Sequence, residues 1–132
     1  MVEFRLWCLA AVGVLTVASL SCGGSEGPSN PPTNPTTNPY TVTISGSGLV
    51  SPKDLTVPPG SRVLFVNSHS RRHDVTSDPH PDHLDCPELN QVGVLNAGQS
   101  RESGNLVTAR TCGFHDHDDP GNVNLRGSIT VR

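Results

Sequence analysis

P-K-D-L-T-V-P-P-G-S-R-V-L-F-V-N-S-H-S-R-R-H-D-V, Pro52 to Val75, breaks its apolar residues into short runs separated by turn residues. L-T-V stops at P-P-G, where proline fixes φ and removes an N–H and glycine permits the bend. V-L-F-V then ends at Asn67, and a polar stretch leads to His73-Asp74-Val75. Runs this short, bounded in this way, form strands rather than helices. The same pattern continues on both sides. In Y-T-V-T-I-S, Tyr40, Val42 and Ile44 fall on one face of a strand, and in the closing G-S-I-T-V-R, Ile129 and Val131 do the same. Five or more short strands with turns between them imply an all-β fold, an antiparallel Greek-key sandwich.

Composition bounds what that sandwich can be. The chain has 132 residues, of which 33% are hydrophobic and 4% aromatic, enough for one modest core. A formal charge of -3 leaves no basic footprint for nucleic acid. Residues 1–21 carry an apolar run of signal-peptide size, to be set aside from the fold. The following S-L-S-C-G-G-S resembles the lipobox of bacterial lipoproteins, which would make Cys22 a lipidated amino terminus. Residues 22–39 then hold almost nothing that could be buried, and their repeated Asn-Pro steps favour a solvated linker. The folded domain is expected over 40–132, outside the cytoplasm, at the cell envelope (periplasm or outer face), and tied to the membrane by the lipid anchor alone.

Two stretches carry chemistry. T-C-G-F-H-D-H, Thr111 to His117, places one cysteine and two histidines within seven residues. S-D-P-H-P-D-H-L-D-C-P-E, Ser77 to Glu88, adds His80, His83 and Cys86 among four acids and three prolines. Three readings stay open. Cys112 can keep its thiolate for a metal. It can instead pair with Cys86, since exported domains oxidise their cysteines; a bridge closing a loop of about 25 residues stabilises by roughly 3 kcal/mol. Or His83-x-x-Cys86 and Cys112-x-x-His115 can form a tetrahedral zinc site. His69, in S-H-S-R-R, reads as a solvated turn residue. No G-x-S-x-G elbow, phosphate loop or H-E-x-x-H helix occurs, so the chain is not expected to be an enzyme.

The order of these pieces resembles a small cupredoxin of the plastocyanin kind. Pro52 to Val75 is similar to its front half, and L-N-A-G-Q-S with C-G-F-H and L-R-G-S-I-T-V to its back half. The resemblance implies one copper ion held by His73, Cys112 and His115, with Cys112 and His115 on the turn between the last two strands. It also implies electron transfer to a redox partner, with Cys112 as electron path, His115 as exposed exit and His73 as buried anchor. The family's axial methionine is missing, because Leu125 stands in its place and Met1 is the chain's sole methionine. His117 is the substitute ligand, with His80, His83 and Cys86 as possible additional ones. The competing expectations are a protein that takes copper from a donor and passes it to an acceptor through its extra histidines, a zinc site, or a metal-free, disulfide-stapled interaction module.

Overall fold

In a computed structural model, residues 38–132 are described; the signal segment, Cys22 and nearly all of the linker lie outside the described residues. Among the described residues, nine strands form two sheets. The four-stranded sheet has the order β2 (Val50–Ser51), β1 (Thr41–Ile44), β4 (Leu64–Asn67), β7 (Ser100–Glu102). The five-stranded sheet runs β3 (Asp54–Val57), β9 (Gly127–Val131), β8 (Arg110–Asp116), β5 (His73–Ser77), β6 (Gly93–Leu95). The all-β sandwich is as expected, although β1–β4 and β3–β9 pair in parallel, so both sheets are mixed.

Strand alternation builds the core. Val42 and Ile44 of β1 and Phe65 of β4 face Val75, Phe114, Ile129 and Val131 of the other sheet, all buried. The rings of Phe65 and Phe114 meet edge to face with centroids 5.2 Å apart, a favoured aromatic geometry. Gly127 is required beneath Phe114, because a Cβ there would overlap both the phenyl ring and the Lys53 carbonyl.

The register between β5 and β8 decides where functional groups can point. Val75 pairs with Asp116, Thr76 with His115 and Ser77 with Phe114. Successive side chains alternate between the two faces of a sheet. Cys112, Phe114 and Asp116 therefore face the core together with His73, Val75 and Ser77, while Gly113 and His115 lie on the outer face. His117 follows β8 and extends that ladder, its N–H donating to the Asp74 carbonyl at 2.7 Å.

Candidate metal centre

Cys86 and Cys112 form a disulfide, and both are fully buried. Of the readings left open by the sequence, the bridge is the one present. Cys112 and Cys86 therefore supply no thiolate, which removes the copper–thiolate centre and the zinc site together. Nor do the remaining members of the expected set meet. His73 points into the sandwich and His115 points out of it, because they occupy opposite faces of one sheet. The placement of Cys112 and His115 on a turn is likewise corrected: β8 continues to Asp116, so both are strand residues. His115 is not an exposed exit, being 1% exposed.

The segment between β5 and β6 accounts for that burial. Asp78 keeps pairing with β8, its N–H donating to the Gly113 carbonyl at 2.9 Å. The chain then folds back on itself: the His83 N–H donates to the Pro79 carbonyl and the Asp85 N–H to the Asp78 carbonyl. Cys86 closes the excursion, with its N–H on Ser77 Oγ at 2.8 Å and its sulfur on Cys112. The outer face of β8 is thus covered by a loop carrying two histidines.

His80 and His83 from this loop and His115 and His117 from β8 and its extension converge. Each offers a ring nitrogen, and the four nitrogens lie within 4.8 Å of one another. Their ring centroids stand 5.1 Å apart for His83–His115 and 4.9 Å for His83–His117. Two of the rings have their other nitrogen fixed. His115 Nδ1–H donates to Asp78 Oδ1 at 2.6 Å, and His83 Nδ1–H donates to the Ser77 carbonyl at 2.8 Å. Each bond sets the tautomer and leaves Nε2 as the ring's acceptor, and fixing one nitrogen in this way is what orients histidine ligands in metal sites. His115 Nε2 takes a long bond from the Thr76 hydroxyl at 3.4 Å. His117 Nδ1 bonds His83 Nε2 at 3.0 Å, and a cation held by both nitrogens would take the place of the shared proton. Burial holds the His115 pKa below its ordinary 6.5, against the opposing pull of Asp78, so the ring stays in the neutral form that can ligate.

Backbone conformation is adapted to this cluster. His83 has φ of 54°, the only positive φ outside glycine among the described residues. Such conformations persist where surrounding contacts over-determine them. Gly113 is equally specific: a Cβ would collide with the Asp78 carboxylate that seats His115. Arg126 approaches the same carboxylate at 3.5 Å from the solvent side. Asp78 and Gly113 escaped the sequence reading. A glycine inside a strand pattern was the available signal, since it marks a close approach of another group.

His73 belongs to a separate network. Its Nδ1–H donates to Asp116 Oδ2 at 2.7 Å, and its Nε2 accepts from His69 Nδ1–H at 2.8 Å. Both nitrogens are bonded, and His73 is not among the described histidines that converge as a possible metal group. The expectation of a solvated His69 is corrected accordingly: it is half-buried, and its ring stacks against His73. Asn67 fastens this corner, its amide donating to the Arg71 and Leu95 carbonyls and its oxygen accepting from the His69 N–H. The pair lines a cavity of about 540 Å³ together with Asp116, Asp118, Asn122 and Leu125. Leu125 is 6% exposed and has no donor atom to offer there.

No protein-family model matches the chain, and no curated protein matches it by sequence. Solved structures do resemble it. The purple cupredoxin of Nitrosopumilus maritimus superposes with a TM-score of 0.52 at 19% identity, over 70% of this chain and 99% of that one. Oxidised plastocyanin from Dryopteris crassirhizoma gives 0.55 at 21% identity, over 70% and 99%. A reduced amicyanin variant gives 0.54 at 20% identity, over 70% and 80%. The described domain thus has the cupredoxin fold.

Proposed function

We propose that this protein is an extracytoplasmic, lipid-anchored copper-binding protein that captures one copper ion at His80, His83, His115 and His117 and hands it to an acceptor. The convergence of four imidazoles, two of them held by Asp78 and Ser77, carries the reading. Imidazole suits late first-row divalent ions, and copper stands highest among them for a given nitrogen site. The cupredoxin fold is in keeping with this reading, since a solved structure of this shape is an amicyanin variant with Cu(I). Electron transfer, the other expectation, loses its sulfur path with the Cys86–Cys112 bridge.

Titration of the purified protein, disulfide intact, with Cu(II) tests this. One equivalent should bind with a nitrogen-rich electron paramagnetic resonance signature and without an intense sulfur-to-copper band in the visible. Binding that survives replacement of all four histidines, or no binding at all, would overturn the proposal.

A further inference from the structure

The four histidines of the cluster fall into two unequal pairs. His115 is buried and His83 half-buried, and each has its far nitrogen bonded to Asp78 or the Ser77 carbonyl. His80 and His117 are exposed; the His117 ring bonds only His83 within the cluster, and among the described residues no carboxylate or carbonyl bonds either ring from behind. A ligand whose orientation is fixed from behind gives up an ion reluctantly. One without that support detaches by side-chain rotation, a motion of picoseconds to nanoseconds at an exposed site.

Resting on the copper-binding reading, we infer that His80 and His117 form an exchange face. The acceptor is a protein or peptide with copper-coordinating side chains of its own, and it approaches from this side. A donor atom of the acceptor bonds the ion as the bond to His117 or His80 breaks, and the freed imidazole returns to solvent. His83 and His115 keep their hold until a second incoming donor has bonded, so the ion is never released to water. Copper keeps its oxidation state throughout, and no outside reductant is needed. The positions of the prolines agree with this division. His80, between Pro79 and Pro81, has a restricted backbone that displays the ring at the exposed edge of the cluster.

Stopped-flow transfer of Cu(II) from the wild-type protein to EDTA, at several EDTA concentrations, is the direct test. The rate should rise in proportion to EDTA, as an attacking ligand requires. Equilibrium titrations supply the second measurement: His80→Ala and His117→Ala should each weaken copper binding about 10-fold, and His83→Ala and His115→Ala by at least about 100-fold. A transfer rate independent of EDTA, or equal losses at all four positions, would overturn the exchange face while leaving copper binding intact. Wild-type protein that binds no copper would overturn both proposals, so the two failures are distinguishable. The wild-type kinetics need no variant, so a substitution that prevents folding does not remove the test.

Discussion

Two histidine–aspartate pairs sit on opposite faces of the same sheet, His115 with Asp78 and His73 with Asp116, at nearly equal separations of 2.6 and 2.7 Å. In both, the carboxylate fixes which nitrogen carries the proton. They differ in what meets the other nitrogen. His115 Nε2 takes a long bond from the Thr76 hydroxyl at 3.4 Å, and its ring stands in a group of four imidazoles, whereas His73 Nε2 is bonded by the single imidazole of His69. A carboxylate-backed histidine is thus a candidate metal seat only where several other donors converge on it. Elsewhere the same pair is a structural clasp.

The largest test of this difference is a crossed pair of substitutions. His115→Ala should cost at least about 100-fold in copper affinity by calorimetry, and His73→Ala should leave that affinity unchanged. His73→Ala should appear instead in denaturant unfolding, where leaving buried Asp116 without its partner costs about 1–3 kcal/mol. If His73→Ala abolished copper binding, the division into seat and clasp would fail.

Removing the bridge comes next. Cys86→Ser with Cys112→Ser should destabilise the domain by about 3 kcal/mol. That lowers the melting temperature by roughly 10 °C or more. Copper affinity should fall with it, because the bridge ties the His80–His83 loop to β8. Gly113→Ala should act on the outer face alone. Its methyl displaces Asp78 and weakens copper binding about 10-fold, with the His69–His73 hydrogen bond preserved in nuclear magnetic resonance spectra.

The smallest effects are those of pH on the metal-free protein. The folded-state pKa of His115 lies below its ordinary 6.5, so the unfolded chain takes up the proton more readily. Its contribution to stability is whole above about 6.5 and is lost as pH falls toward the folded value. Asp118, held below its ordinary 3.8 by the Arg72 hydrogen bond, contributes above about 3.8 and loses that contribution in stronger acid. Arg72→Ala should erase the second step and leave the first, which unfolding measured against pH would resolve.

Much of the fold was legible because short apolar runs between glycines and prolines admit few alternatives. Tyr40 to Ile44, Val63 to Asn67 and Ile129 to Val131 form or pack the core as their alternation requires. The histidines His80, His83, His115 and His117 were each singled out as possible ligands. Their grouping was not legible, because it depends on where β8 stops and on how the loop from Asp78 to Cys86 folds over it. Family resemblance pulled His73 and Cys112 into the set, since Cys-x-x-His preceded by an upstream histidine looks the same in one dimension whether the strand ends or continues. In the sequence Asp78 is one acid among several in a polar loop; the side-chain-free surface at Gly113 that admits it appears only in three dimensions.

Strand length at β8 acts as a chemical selector. Cys112 and His115 are three positions apart, an odd number, so within a continuous strand they belong to opposite sides of the sheet. The same four-residue word can serve one ion only when the strand breaks between its ends. By carrying β8 through to Asp116, this chain spends its sulfur inside the wall and its imidazole outside it, and two residues that a shorter strand would unite become a rivet and a socket.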